Sequence, residues 1–427
     1  MKTIDVSLLW RRWAAPLVLS AIVASPISVS AQSKPTIEVE RVDEMSPYNI
    51  AAWWSPVAYD AKADQLYVSY LRPGSTKRKD DVIIAQRDSD GNWTMEDTGG
   101  KAVFDTGHTQ TSLAVDGDGV VHFTYGMHFY PFRYGVALAP QTVEAGFNRK
   151  APGLMLGKGP KFTYPNMATA ANGDLYLIIR EGLEGRLYHY RLDGKQWEDL
   201  GSFAAEKGST VYPDQIFPDP NGDLHIIWEW AEGGPQATRH MGSYARYEPN
   251  TGKYFRADGS EYTELPITRE AADLYQPLEG EEVYKRGVHG IQSAKMALDE
   301  NGMPLIAYAY STNQKHHGYE HRLAKWDGSQ WVRETVASGP FSNEKPWISY
   351  FDGQIHYYTF PGVGNGGDSE LALLMSSDAG ASWSVPIVII DDLKIARPVG
   401  TSFEGTDFLY LPTAHSDELY LGMVQFD

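Results

Sequence analysis

In the stretch GHTQTSLAVDGDGVVHFTYGMH, residues 107–128, His108 and His128 stand at mirror-image positions about a DGDG turn. An antiparallel hairpin turning through Asp116 to Gly119 folds positions equally distant from its turn onto one another, so the two imidazoles are expected at one edge of one sheet. An imidazole accepts a proton near neutral pH. Farther along, Tyr164 in TYPN offers a phenol, and Arg180 in LIIREG offers a planar cation that can grip a carboxylate with two parallel hydrogen bonds. Abstracting the proton beside a uronate carboxylate needs three such parts: a base, a cation for the developing enolate, and an acid at the departing glycosidic oxygen. His108 suits the base, with His128 beside it. Arg180 suits the cation. Tyr164 suits the acid, or the base itself if a neighbouring arginine lowers its pKa. Together they describe β-elimination by a polysaccharide lyase.

These side chains need a frame that brings distant stretches together, and the chain contains one. Seven segments share a pattern of strand, tight turn and strand, beginning with SPVAYDAKADQLYVSY and ending with RPVGTSFEGTDFLYL; their turns centre on Asp64, Gly119, Gly173, Gly222, Gly302, Gly353 and Gly405. The period is about fifty residues, with one insertion around 231–285. A third strand and usually a fourth follow each hairpin, as in RLYHYRLDGKQWEDLG. Four antiparallel strands repeated seven times predict an all-β, seven-bladed β-propeller. A β-helix would have shorter coils, and two sandwiches would not give seven like turns. SSDAGASW, residues 376–383, matches the Asp-box turn found on sialidase-like blades, and TIEVERV near the N-terminus could supply the strand missing from the last unit.

In such a fold the first strand of each unit starts at one rim and the second strand returns to it. The rim positions are Trp54, His108, Tyr164, Tyr212, His289, Lys345 and Arg397 from first strands, and His128, Arg180, Glu229 and Tyr310 from second strands. Adjoining loops add Arg239, His240, His316 and His317. Cations and imidazoles ringing one opening suggest a pocket for an anionic ligand, with Arg239, Tyr212, His289, Lys345 and Trp54 as substrate-binding candidates. His122, His225 and His356 fall three residues after a turn glycine, in register with Tyr67 and Tyr176, and read as repeat packing. The His316–His317 tract could be a plain exposed loop or a metal site; without Cys or regular ligand spacing the latter has little support. The chemistry requires no cofactor, and a structural zinc or calcium ion would be compatible with it.

Two other classes stay open on these residues. A sialidase needs three arginines and a Tyr/Glu pair, and an ordinary glycosidase needs two facing carboxylates, whereas Glu229 is the only acid among the second-strand ends. A non-catalytic sugar-binding propeller would explain Trp54, Tyr212 and Tyr310 without requiring the His, Tyr and Arg set.

Bulk composition bounds the partners. Aromatic residues make up 12% of the chain, with Gly 41, Pro 25 and Cys 0, which suits short strands and tight turns without disulfides. Lys2, Arg11 and Arg12 precede the apolar run Ala14 to Ala24, and Val29-Ser30-Ala31 offers small residues for cleavage. Residues 1–31 therefore read as an export signal, leaving 32–427 as one catalytic domain, secreted or periplasmic. The net charge is −18, so nucleic acid and anionic membranes are poor partners. A monomer is expected.

GHTQTSLAVDGDGVVHFTYGMH, followed by YPNMATAANGDLYLIIREG and ATRHMGSYARYEPNTGKYF, resembles the BNR-repeat propellers that include ulvan lyases. The resemblance spans nearly the whole chain after residue 31 and implies cleavage of ulvan, a sulfated algal polysaccharide, between rhamnose 3-sulfate and a glucuronic or iduronic acid. It assigns proton transfer to His108, His128 and Tyr164, neutralisation of the uronate to Arg180, and substrate binding to Arg239. Lys345, Arg397, His289 and the His316 loop are candidate receivers of sulfate.

Overall fold

All seven hairpin turns expected from the repeat bend through a left-handed residue: Asp64, Gly119, Gly173, Gly222, Gly302, Gly353 and Gly405 have φ between 52° and 93°. That backbone region is nearly free for glycine and tolerable for aspartate, which is why those types recur there. The computed structural model describes residues 34–427 except 50–53, 75, 77, 106–107, 150–160, 233–238, 240, 279–289, 312–318, 342–344, 361–369, 392, 396, 414–416 and 427. The expected signal at 1–31 lies outside the described residues, as do His240, His289, His316 and His317.

Every regular element among the described residues is a strand, and the strands form seven antiparallel sheets of four or five. Each sheet starts from an inner strand: Val57–Asp60, Thr111–Val115, Phe162–Thr169, Ser209–Pro218, Ile291–Leu298, Trp347–Phe351 and Val399–Phe403. Each inner strand touches the next in this order, and Val399–Phe403 touches Val57–Asp60 again. The last sheet borrows its outer strand from the other end of the chain. Thr36–Glu44 pairs antiparallel with Glu418–Gln425, from Thr36 opposite Gln425 to Glu44 opposite Glu418, so the open edge of the final repeat is covered. The insertion adds Lys253–Phe255 and Asp273–Gln276, both paired on Met241–Glu248.

The cores lie between neighbouring sheets. Trp228 and Trp230, both fully buried, pack with Phe203, Val211 and Ile178 where the third and fourth sheets meet. Burying such large apolar side chains contributes on the order of 2–3 kcal/mol each. The Asp box closes as its pattern predicts. Ser376 Oγ donates to Asp378 Oδ1 at 2.8 Å, the Gly380 N–H donates to Ser376 Oγ at 2.8 Å, and Trp383 packs edge-on against Tyr357. His122, His225 and His356 are buried, each beside a carboxylate (Asp116, Asp219, Asp407), consistent with packing inside the repeat.

Candidate active site

The hairpin Thr111–Val115/Val121–Tyr125 pairs residue for residue from Thr111 opposite Tyr125 to Val115 opposite Val121. It does bring His108 and His128 together, though not as one edge of that hairpin. His128 lies beyond the second strand, in the short strand His128–Tyr130, which pairs with Phe162–Thr169 of the next sheet. The crossing is fixed by Thr163, whose Oγ1 accepts the Phe129 N–H at 3.0 Å. Thr109 and Gln110 are buried and tie down the strand entry: Thr109 Oγ1 donates to the Val103 carbonyl at 2.7 Å, and Gln110 Nε2 donates to the Tyr48 carbonyl at 2.7 Å.

The two imidazoles stack, with ring centroids 4.0 Å apart and planes 5° from parallel. Both Nδ1 atoms meet one carboxylate. His108 Nδ1 is 2.8 Å from Asp105 Oδ1, and His128 Nδ1 is 2.5 Å from Asp105 Oδ2. With the carboxylate ionised, each Nδ1 donates and each Nε2 keeps its lone pair. Burial lowers the His108 pKa below its usual value, opposed by the Asp105 hydrogen bond, so the ring is neutral at neutral pH. The sequence reading overlooked Asp105; its one signal was a carboxylate three residues before the histidine in FDTGH.

Tyr164 adjoins the pair, its ring centroid 6.1 Å from that of His108. It sits at an irregularity where the register of Phe162–Thr169 with Leu175–Glu181 slips between Thr163 and Asn166. Its φ is +57°, uncommon for an aromatic residue, and such bulges re-aim side chains next to functional sites. Arg180, from the strand opposite, has its Cζ 4.7 Å from the Tyr164 ring centroid and 4.8 Å from that of Tyr212. Phe129 adds a third ring at 5.3 Å, and Arg239 stacks on Tyr212 at 4.7 Å. Trp54 packs on Tyr164 at 5.4 Å, so Trp54, Tyr164 and Tyr212 form a small apolar cluster distinct from the cores between sheets.

The rim reading is corrected in one respect. These residues do not line an open mouth: Tyr164 is 2% exposed and Arg180 1%, and Trp54, Tyr212, Arg239 and Lys345 are buried too. Flat guanidinium groups stacked on aromatic rings close over one another, a compact arrangement that residue types alone do not reveal. The histidine side chains are the accessible part, 36% exposed for His108 and 33% for His128. A second correction concerns the phenol. Burial raises the Tyr164 pKa more than Arg180 lowers it, so Tyr164 stays protonated and the alternative of Tyr164 as base is not favoured.

Behind the stack lies a buried charged group. Glu229 Oε2 is 3.4 Å from Arg239 Nε, and Glu229 Oε1 accepts the Ser293 N–H at 2.9 Å. Burial pushes Glu229 up to about 7 despite Arg239. Asp214 and Lys295, also buried and absent from the sequence reading, complete the group, with Lys295 Nζ donating to the Asp214 carbonyl at 3.0 Å. Lys345 Nζ lies over the Tyr319 ring at 4.0 Å and acts on Glu229 electrostatically. Tyr310 instead holds Arg322, whose Cζ is 4.3 Å from its ring. Arg180 Nε and Nη1 are buried with no hydrogen-bond partner among the described residues.

Asp105, His108 and His128 also bring three metal-capable atoms within 4.8 Å of one another. Zinc needs lone pairs converging on one point at about 2.0–2.1 Å. Parallel stacked rings direct theirs side by side instead.

Residues 64–338 match the profile of a BNR repeat-containing family. No curated protein matches the chain by sequence. Among solved structures, a PL25 ulvan lyase, from a new family of polysaccharide lyases, superposes with a TM-score of 0.66 at 17% identity, covering 91% of this chain and 95% of that one. A PL25 ulvan lyase bound to -[GlcA(1-4)Rha3S]- gives 0.66 at 17%, over 90% and 95%. The polysaccharide lyase Uly1 gives 0.66 at 16%, over 88% and 91%. At such identities the likeness is one of fold.

Proposed function

This chain belongs to the BNR repeat-containing family, and from that premise we propose that it is an exported, seven-bladed-propeller polysaccharide lyase that cleaves ulvan by β-elimination beside a glucuronic or iduronic acid. The observation that carries the reading is the pairing of proton-accepting imidazoles with a buried, protonated phenol stacked on an unsatisfied guanidinium. The fold shared with ulvan lyases supports the substrate class.

In this reading the rings stacked on Arg180 move aside as substrate binds, and the uronate carboxylate then bonds to Arg180 Nε and Nη1, which satisfies both buried donors and stabilises the enolate. The Nε2 lone pair of His108 or His128 takes the C5 proton. The electron pair forms the C4–C5 double bond, the C4–O bond breaks, and Tyr164 protonates the departing oxygen. Arg239, Tyr212, Trp54, His289 and Lys345 are assigned to binding the sugar chain, with Lys345 and Arg397 as sulfate receivers. No cofactor enters this scheme, and the protein acts as an exported monomer free of nucleic acid and membrane. Hydrolysis would call for two carboxylates facing one opening; the nearby ones are Asp105, engaged by both histidines, and Glu229 and Asp214, both fully buried.

The test is to incubate the protein with ulvan and follow mid-ultraviolet absorbance alongside reducing ends. A lyase raises both, a hydrolase raises reducing ends alone, and a binding module raises neither. Arg180→Ala and Tyr164→Phe should each lower the absorbance rate by about a hundredfold or more with folding intact; near-normal turnover in either would remove its assigned role.

A further inference from the structure

The carboxylate between the two histidines has no part in the scheme above, yet its geometry is specific. Each oxygen of Asp105 serves a different imidazole, Oδ1 to His108 and Oδ2 to His128. Its backbone carbonyl also accepts the His108 N–H at 3.2 Å. The imidazoles come from separate strand ends, and the carboxylate is the hydrogen-bonding group they share. We propose that Asp105 is a positioning residue that sets the tautomer of both histidines at once, making them a single proton-accepting unit with both Nε2 lone pairs presented to the substrate. This rests on the lyase reading and adds to it the group that orients its bases.

The reasoning is one of donors and acceptors. A carboxylate can only accept, so both Nδ1 atoms must carry hydrogen, and whenever a ring is neutral its Nε2 must be bare. With the rings 4.0 Å apart and parallel, a second positive charge is disfavoured once one ring has accepted a proton, so the pair takes up one proton per turnover. Arg180, within electrostatic reach of His108, works in the same direction, and Asp105 offsets it by stabilising the single imidazolium.

Asp105→Asn has a distinctive consequence. Its amide oxygen can still accept from one Nδ1–H, but its NH2 group must face the other Nδ1. That ring is forced to move its proton to Nε2 and loses its ability to act as a base. Asp105→Ala frees both rings without imposing a wrong tautomer. The experiment is nitrogen-15 NMR of the full chain labelled at histidine, with His108→Ala and His128→Ala to assign the signals, beside steady-state kinetics on ulvan. In the parent protein both residues should show a protonated Nδ1 and a bare Nε2. In Asp105→Asn at least one should show the reverse, with kcat down by about a hundredfold or more and KM within about threefold. Asp105→Ala should lose less in kcat than Asp105→Asn. Unchanged tautomers in Asp105→Asn, or a raised KM with kcat kept, would overturn the proposal. The NMR arm decides the role of Asp105 even if no polysaccharide is cleaved, whereas an inactive parent protein with the expected tautomers would count against the lyase reading alone.

Discussion

At the scale of single residues, environment separates the proposed base from the proposed acid. His108 is held neutral because burial opposes its charge, and its pKa lies below the ordinary 6.5. Tyr164 is held neutral for the same reason, with a pKa above the ordinary 10.0. The signs set the pH profile. A base is lost when it is protonated, so kcat/KM should fall only as pH drops through the depressed value, below 6.5. An acid is lost when it ionises, so Tyr164 should cause no decline up to pH 10. The expected profile is a plateau across neutral and mildly alkaline pH, measured on ulvan at constant ionic strength. An acid limb centred above 6.5 would move the base away from His108.

At the scale of elements, neighbouring repeats lock through their turns. The Gly117 N–H donates to the Gly173 carbonyl at 2.9 Å, joining the hairpin turns of the second and third sheets. Gly173 has φ +86°, and a Cβ there would meet Gly117 Cα at 2.5 Å. The position excludes side chains on both conformational and steric grounds. Gly173→Ala should therefore cost about 1–3 kcal/mol of stability in chemical denaturation, with kcat at moderate temperature kept, because the contact lies at the turns and not among the site residues. Parent-like stability would show that the two turns are not in contact. The same scale explains the site. His128 comes to lie opposite Thr163, the residue before Tyr164, only because its short strand leaves its own hairpin and joins the next sheet.

At the scale of the whole molecule, the proposed function sets an acidic polymer against an acidic protein. The net charge of −18 repels a polyuronate at long range, while the cations that meet it, Arg180, Arg239 and Lys345, are buried. Salt screens the long-range field more than short contacts in a buried site, with a Debye length of about 10 Å at 0.1 M. KM for ulvan should accordingly fall as ionic strength rises from about 0.01 to 0.2 M, with kcat nearly constant. A KM that climbs steadily with salt would mean that attraction by local cations dominates the encounter.

The sequence by itself determined the repeat and singled out the candidate reacting groups. Turn glycines about fifty residues apart, the Asp box and the unpaired last repeat each depend on local backbone preference or strand pairing, and these are written in neighbouring residues. Hairpin register, which follows from the turn, pointed to the approach of His108 to His128 but not to the crossing of His128 into the next sheet. Tertiary structure alone decided the rest. Whether Arg180 would stand open or be sandwiched between Tyr164 and Tyr212 depends on how two neighbouring sheets pack, and burial, not residue type, sets the direction of the Tyr164 pKa. The contact of Asp105 with His128 and the assembly of Glu229, Asp214 and Lys295 behind the stack join segments far apart in the chain. Hydrogen bonding and desolvation act through distance in space, and spacing along the chain does not record that distance.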